Sequence, residues 1–307
     1  LIRLGAFDAH CRMPVIEGRG PLAGHIMSHD QVEAVLMRRA GYEVRVYAHE
    51  DESYEENPPS LPDFIKRESR WCIGNMQYFR LLGLPGLLPT SRVQLALAIL
   101  MYLGAPAWIA FVTLGASLAV MPAQVEGVPV AYAVGLFAVI MTVSLLPKLM
   151  GLAQVLFSDE QSRKYGGRVR VIAGGLGETV LSLLMAPAVA FALSICCIGL
   201  LFGRRVQWDA QQRSRTFLAP SEAWRALWPQ TLFGLGLSAF LVALAPWAMI
   251  FGAPVLISLA AAVPFAVLTT LPALGAWSRR IGLFDIPEDG RAGSTDLYPS
   301  AEPAHAA

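Results

Sequence analysis

Charged residues are scarce in this chain, and the shortage is local. Only 15% of the 307 residues are Asp, Glu, Lys or Arg, whereas soluble domains carry about 25%. Residues 1–92 contain 11 Lys or Arg and 12 Asp or Glu. Three later stretches contain only Glu126 and Glu178 between them, and these are 93–147, 171–203 and 231–278. Because about 20 apolar residues cross a bilayer, the composition excludes a single soluble domain and predicts a polytopic membrane protein with a polar segment in front.

Cysteine and net charge are also low. The four cysteines form no CxxC or other metal-ligand spacing, so we expect free thiols and no zinc site. A net charge of +1 offers no electrostatic footprint for nucleic acid. The chain has no basic segment leading into an apolar run at its start, so we expect no signal peptide. Because Leu1 opens in the middle of a pattern, we expect a fragment.

Residues 1–60 have the pattern of an α/β segment. Asp30 is placed to cap a helix over 31–40, and Gly41 is placed to end it. Alternating residues over 43–48 predict a short strand. The acidic, proline-ended stretch 51–59 predicts a loop.

Residues 61–92 mix aromatic, aliphatic and basic side chains with helical spacing. This pattern predicts an amphipathic helix of about six turns lying on a membrane surface. An ordinary buried helix of the front segment fits the same residues, and the two interpretations are compatible.

Residues 93–278 form the predicted membrane domain, and 279–307 form a small, polar tail that we expect to be largely disordered and cytoplasmic. We expect six spans. They are 95–118, 129–147, two short helices within 171–203 divided at Pro187, 231–251 and 254–275 with a turn at Gly252–Pro254. Arginines and lysines in 148–170, in 204–230 and after 278 predict that these segments are cytoplasmic, as is the front segment. A re-entrant hairpin over 171–203 would reduce the count to four.

Two short motifs in the front segment carry candidate chemistry. Ser28-His29-Asp30 stands where a loop becomes a helix, so Asp30 is either a plain helix cap or a general base. His25 or His29 as a metal ligand is a weaker alternative, since no second ligand follows at helical spacing. Arg67-Glu68-Ser69-Arg70-Trp71 combines guanidinium groups that match phosphate oxygens with an indole face on which a sugar can stack. An Arg-Trp pair is also a common membrane-surface anchor.

The order of these features resembles the processive family 2 glycosyltransferases, such as cellulose synthase, which have an acidic TED-like base and a QxxRW box before a bundle of spans. The chain more closely resembles the glucans biosynthesis glucosyltransferase H family of Gram-negative bacteria. The residues that carry this resemblance are GPLAGHIMSHD at 20–30, LMRRAG at 36–41, SYEE at 53–56, RWC at 70–72 with Gly74-Asn75, and LLMAP at 183–187. Arg67 stands where the box has Gln, which is a departure.

The resemblance implies a fold and a set of roles. Residues 1–60 would be the C-terminal part of a GT-A-type α/β domain, followed by the helical membrane domain. Asp30 would deprotonate the acceptor hydroxyl, Arg70 would stabilise the leaving diphosphate, and Trp71 would support the acceptor sugar. Arg67 would add a phosphate contact. The reaction would extend a linear β-glucan from UDP-glucose with inversion and pass it across the bacterial inner membrane.

The resemblance implies further sites with less support. Gln211, Gln212 and Arg213 lie where a gating loop would contact the nucleotide, although a solvated loop also fits them. Glu178, within an apolar run, is either a functional intramembrane carboxylate or a group near the end of a short helix. Family members hold Mg²⁺ with a DxD pair, and no DxD occurs in these residues. We therefore expect the full-length parent to bind Mg²⁺ and these 307 residues alone to be inactive.

Two other functions remain open at this level. A transporter or channel with a small cytoplasmic domain would explain the spans, but it leaves both motifs unexplained, and no internal repeat is evident. An inactive remnant is the other alternative. The partners that the resemblance implies are UDP-glucose, the growing glucan, membrane lipid and a periplasmic glucan-processing protein, with no nucleic acid.

Overall fold

The structure is a computed structural model that describes residues 2–46, 57–121, 130–204, 217–284 and 286–287. The described residues are mostly helical and contain no strand, apart from a single bridge between Ile16 and Gly24. In chain order, the helices are α1 (Leu4–His10), α2 (Asp30–Arg39), α3 (Leu61–Met76), α4 (Pro89–Val120), α5 (Val130–Phe157), α6 (Asp159–Lys164), α7 (Arg168–Leu201), α8 (Pro220–Leu244), α9 (Met249–Ala260), α10 (Ala262–Thr269) and α11 (Pro272–Arg280). Short 3₁₀ turns occupy Gln77–Arg80 and Pro246–Ala248.

The chain divides into two compact units. The first comprises Leu1–Val120 and Leu184–Thr270, and the second comprises Met121–Leu183 and Leu271–Ala307. The first unit contains the front segment together with the second half of α7 and helices α8 to α10.

Helix α2 ends as predicted at Gly41 but begins differently. The amide of Gly41 bonds to the carbonyl of Arg38, and that of Tyr42 bonds to the carbonyl of Met37, which is a Schellman ending with Gly41 at φ +87°. The expectation that Asp30 caps this helix is wrong, because Asp30 is its first residue and His29 occupies the cap position without a side-chain hydrogen bond.

The strand expected over 43–48 is not formed by its described part, since residues 43–46 have no regular structure. An isolated strand leaves its backbone groups unpaired, and the described residues provide no neighbouring strand for it. Residues 47–48 and most of the predicted 51–59 loop lie outside the described residues.

Helix α3 begins at a strong capping site. The Oγ of Ser60 accepts a hydrogen bond from the amide of Asp63 at 3.3 Å, and its hydroxyl donates to the Asp63 carboxylate at 2.5 Å. The helix then ends at Met76, so the expected six-turn helix over 61–92 is wrong. A 3₁₀ turn follows at Gln77–Arg80, and α4 starts at Pro89.

A hydrophobic core ties the front segment to two long helices. Buried residues of α2, α3 and the following turn pack with residues near the start of α4 and near the end of α7. The cluster includes Val35, Cys72, Tyr78, Ile99 and Cys197. One side of α3 is therefore buried against other parts of the protein. This agrees with the alternative interpretation of residues 61–92, a buried helix of the front segment.

Four helices are long and apolar enough to cross a membrane, and a bent pair adds a possible fifth. The four candidate spans are Pro89–Val120, Val134–Phe157, Arg168–Leu201 and Pro220–Leu244. Among the described residues, the expected six spans are therefore not present.

The difference in span count has two causes. Residues 171–203 form neither two short spans nor a hairpin, because α7 continues through Pro187 as one 34-residue helix of about 51 Å. The expected turn at Gly252–Pro254 lies inside α9, and the chain turns instead at Ala245. Helices α9 and α10 meet at a 60° bend, which replaces the straight span expected over 254–275.

Candidate functional site

The structure brings the two sequence motifs together at Gly74 of α3. A Cβ atom built on Gly74 would lie 2.6 Å from the Cβ of Ser28 and 2.7 Å from the Ser28 nitrogen. No side chain fits in that space, so α3 approaches the Ser-His-Asp loop at direct backbone distance. Because Asp30 follows Ser28 by two residues, the candidate base begins its helix beside the helix that carries Arg70 and Trp71.

Helical periodicity places the box residues on the side of α3 that contacts this loop. Arg70 and Trp71 precede Gly74 by four and three residues, so they lie one turn away along the same face. Arg67 lies one turn further along. Trp71 keeps 41% of its surface exposed, so part of the side chain is accessible to a ligand.

Asp30 presents an exposed carboxylate. Its side chain is 83% exposed, and Oδ1 lies 3.3 Å from Nδ1 of His29. The same His29 nitrogen lies 3.0 Å from Oε1 of Glu33, one turn further along α2. An exposed carboxylate can accept a proton from a bound hydroxyl.

Arg67 is enclosed rather than open to solvent. Its guanidinium carbon lies 4.8 Å from the ring centroids of both Phe64 and Trp71. Its terminal nitrogens donate to Oδ1 of Asn57 at 3.2 Å and to Oε1 of Glu68 at 3.4 Å. With 12% of its side chain exposed, Arg67 is committed to its neighbours on and beside α3.

Two titratable groups near the site are shifted by burial. Burial raises the pKa of Glu68, and the neighbouring Arg67 partly offsets this rise. Burial also raises the pKa of Tyr78; a side-chain hydrogen bond with Ser28 opposes this rise, and the negative charge of Asp30 adds to it. The Tyr78 hydroxyl donates to the Ser28 carbonyl. Tyr78 therefore keeps its proton and acts as a hydrogen-bond donor at this loop.

A contact between cysteines fixes α3 against α7. The sulfurs of Cys72 and Cys197 lie 3.5 Å apart although they are 125 residues apart in sequence. Cys196 donates to the carbonyl of Ser69 at 3.9 Å. Hydrogen bonds with the two α7 thiols, followed by burial, raise the pKa of Cys72. Sequence reasoning missed this contact because the cysteines have no local spacing that indicates it.

Glu178 has a partner on the neighbouring long helix. Its Oε1 lies 3.0 Å from Nζ of Lys148. Lys148 was assigned to a loop from the sequence, but α5 extends to Phe157 and includes it. Close helix packing accompanies the pair, since a Cβ on Gly175 would lie 2.7 Å from a methyl carbon of Leu152.

The remaining candidate positions contribute less. Gln211, Gln212 and Arg213 lie outside the described residues, so their role as a gating loop stays a prediction. Among the described residues, no group of three or more His, Cys, Asp or Glu side chains could hold a metal ion. Within that part of the chain no such group is available for Mg²⁺, and no chemical step is assigned to a metal.

Comparisons with known proteins match the part of the chain that carries both motifs. The family model described as glycosyl transferase family group 2 matches residues 30–123, a range that begins at Asp30 and contains the Arg-Trp box. Residues 30–123 are thus similar to the family 2 glycosyltransferases. No solved structure matches the chain.

Curated relatives match almost the whole chain. Two proteins named glucans biosynthesis glucosyltransferase H are each 36% identical to this chain. One is from Xanthomonas oryzae pv. oryzae, over 303 residues, and the other is from Xanthomonas campestris pv. campestris, over 307 residues. The Vibrio cholerae serotype O1 protein of that name is 35% identical over 307 residues. Each match covers 94% of this chain, and it covers 47%, 47% and 42% of the respective relative.

These matches confirm the family resemblance that the motifs indicated. The chain is similar over almost its whole length to the glucans biosynthesis glucosyltransferase H proteins, and it spans about half the length of the curated relatives it matches.

Proposed function

We propose that these residues form the acceptor-side catalytic half and the membrane domain of an inverting glucosyltransferase. The enzyme would extend a linear β-glucan from UDP-glucose at the cytoplasmic face of the bacterial inner membrane. The observation that carries the proposal is the contact of Gly74 with Ser28, which brings a candidate base and the Arg-Trp box to one site. A transporter with an unrelated cytoplasmic domain has no need of this contact.

Asp30 is assigned the role of general base. Its carboxylate accepts the proton of the acceptor hydroxyl as that oxygen forms a bond to the anomeric carbon of the donor glucose. The bond between the anomeric carbon and the diphosphate oxygen breaks on the opposite side, which inverts the configuration, and UDP leaves with the bonding electrons. The exposed position of Asp30 at a helix start suits proton acceptance from a bound sugar.

Arg70 and Trp71 are assigned to the two substrates. A guanidinium group stabilises the negative charge that develops on the departing diphosphate, because it offers several donors in a planar fork. The exposed indole face of Trp71 provides an apolar surface for the terminal sugar of the acceptor.

Arg67 is assigned a supporting role instead of the phosphate contact that the family pattern suggested. Its guanidinium is occupied by two aromatic rings and two oxygen acceptors, and little of it is accessible. Such an arrangement fixes the Trp71 ring by a cation–π contact. Arg67 would therefore hold the acceptor platform in place.

The membrane helices are proposed to carry the product outward. Four described helices, and a bent pair, could span a bilayer. The second half of α7 packs against α3 through Cys197 and Cys72. A growing glucan would enter the bundle next to the acceptor platform. A periplasmic glucan-processing protein would receive it.

Activity in membranes tests the proposal. The assay uses this sequence in its natural reading frame if that frame continues upstream of Leu1 into a DxD-containing segment, and otherwise a fusion to the N-terminal half of the Xanthomonas campestris relative. Membranes supplied with labelled UDP-glucose and Mg²⁺ are expected to form a glucan that a β-glucanase degrades, whereas the 307 residues alone are expected to form none. Absence of glucan from the longer protein that is used, once it is correctly inserted, would overturn the proposal.

A further inference from the structure

Gln77 is an almost fully buried side chain whose amide makes three hydrogen bonds to main-chain groups. It is the first residue of the 3₁₀ turn after α3, and 1% of its surface is exposed. Its Oε1 accepts the amide of Met27 at 2.8 Å. Its Nε2 donates to the carbonyl of His25 at 3.0 Å and to that of Leu22 at 3.3 Å.

Tyr78 adds a fourth bond to the same segment. Its hydroxyl donates to the carbonyl of Ser28 at 3.0 Å, and the side chain has no exposed surface. Two adjacent side chains therefore bond main-chain groups at four positions between Leu22 and Ser28. All four positions are more than 49 residues away in sequence.

The segment that these two side chains bond has no regular structure of its own to fix its backbone. Residues 22–29 form no helix or strand, apart from the bridge of Gly24 to Ile16. Buried main-chain groups need partners, and a glutamine amide supplies both an acceptor and two donors at one position. The path of this loop is therefore set by Gln77 and Tyr78 from outside.

We propose that Gln77, assisted by Tyr78, is a positioning residue for Asp30. The inference rests on the proposed function and adds to it: the helix that presents Trp71 to the acceptor also fixes, six residues later, the loop that delivers the base. Helix α3 and the 3₁₀ turn that follows it thus set the position of Asp30 relative to Trp71. Neither Gln77 nor Tyr78 contacts substrate in this account.

The chemistry makes this register important. A general base must lie within hydrogen-bond reach of the hydroxyl it deprotonates. A misplacement of about 1 Å caused by a remote change can cost about 100-fold in rate. Loss of the Gln77 bonds should consequently lower kcat, while substrate binding at Arg70 and Trp71 is retained.

The test compares Gln77→Met, Gln77→Glu and Tyr78→Phe in the active longer protein. Methionine keeps the volume of glutamine but removes all three bonds, so kcat should fall by about 10- to 100-fold with the KM for UDP-glucose changed by less than about twofold. Glutamate keeps the acceptor for Met27 but faces two carbonyl oxygens, and it should lose a similar factor. Tyr78→Phe should lose about three- to tenfold in kcat.

A structural measurement on the 307-residue chain separates this inference from the proposed function. Hydrogen exchange of peptides covering residues 22–30 should become faster in Gln77→Met, while exchange in α4 is unchanged. Gln230→Met, which removes another buried glutamine in α8, is the matched control and should leave exchange in 22–30 unchanged and kcat within about twofold.

Each outcome has a distinct meaning. Unchanged kcat in both Gln77→Met and Tyr78→Phe, in a protein that Asp30→Asn inactivates, would overturn the positioning role and leave the proposed function standing. Full activity of Asp30→Asn would instead overturn the assigned base. If Gln77→Met fails to insert into membranes, Tyr78→Phe alone decides, because it removes one hydroxyl and leaves the packing intact.

Discussion

Gly74 and Ser28 are in direct contact, although 46 positions separate them in the sequence. A methyl group on Gly74 would lie 2.6 Å from the Cβ of Ser28 and 3.2 Å from the carbonyl carbon of Met27. Glycine in a helix interior costs about 1 kcal/mol relative to alanine, so its presence here is explained by the close approach. This contact sets the distance between the loop that leads to Asp30 and the helix that carries the Arg-Trp box.

Substituting Gly74 by alanine should separate these two elements. The added methyl group meets backbone atoms that cannot move aside, and overpacking of this kind destabilises by about 1 to 3 kcal/mol. We expect a lower melting temperature of the chain and a loss of glucan synthesis in the longer protein, measured by thermal unfolding in detergent and by UDP-glucose incorporation. Gly5→Ala, in a helix with open space around the position, should lower neither the melting temperature nor the glucan synthesis; equal losses in the two variants would contradict this role of Gly74.

Substituting Arg67 by glutamine tests its assignment as support for Trp71. The change restores the residue of the family box but removes the contacts with both rings. A cation–π contact contributes about 1 kcal/mol, so the KM for the glucan acceptor should rise about fivefold while the KM for UDP-glucose stays within about twofold. The opposite pattern, a raised KM for UDP-glucose alone, would restore the phosphate contact. Arg80→Gln, at an exposed position, is the control.

The raised pKa of Glu68 predicts a dependence of stability on pH. Because burial disfavours the ionised form, the folded chain binds this proton more tightly than the unfolded chain does. This contribution to stability is complete below the ordinary pKa of 4.5 and is lost as the pH rises through the raised value. Melting temperatures measured from pH 4 to pH 7 (about the range in which carboxyl groups titrate) should therefore fall more in the wild type than in Glu68→Gln. Parallel curves would contradict the burial of Glu68, and Glu17→Gln, at an exposed position, should follow the wild type.

Lys148 and Glu178 should stabilise each other in the membrane. A lone charge at the centre of a spanning helix costs about 2.5 to 3.5 kcal/mol on insertion-based scales, so Lys148→Met and Glu178→Gln should each reduce folded protein in membranes. The double variant should recover most of the loss. The matched pair is Glu160 with Lys164, also an ion pair, at 3.3 Å, but exposed on the short helix α6; exposed pairs contribute little. Additive losses at Lys148 and Glu178 would show that the pair is not coupled.

The sequence predicted the elements whose signals are local. Gly41 marked the end of α2 because a left-handed residue is needed there, and apolar runs marked the long helices because hydrophobic length is read directly from composition. The motifs around Asp30 and Trp71 indicated the family that the comparisons confirm.

What the sequence could not predict depends on tertiary context. Pro187 suggested a break between two spans, yet α7 passes through it as one helix, because neighbouring helices can satisfy the carbonyl groups that a proline frees. The contacts of Gln77 with Met27 and of Cys72 with Cys197 join distant segments. No spacing in the chain encodes such contacts, so the parts of the site that position the catalytic groups emerged only from the structure.

Asp30 is proposed to be the general base of a glucosyltransferase. One substitution tests this role directly. Asp30→Asn keeps the shape of the side chain but cannot accept the acceptor proton, and general-base catalysis contributes about 100- to 10,000-fold. The measurement is the initial rate of glucan formation from UDP-glucose in membranes, with Asp8→Asn, at an exposed aspartate of α1, as the matched control. We expect Asp30→Asn to insert normally and to lose at least about 100-fold in rate, and Asp8→Asn to keep the wild-type rate. A rate for Asp30→Asn close to that of the wild type would contradict this role.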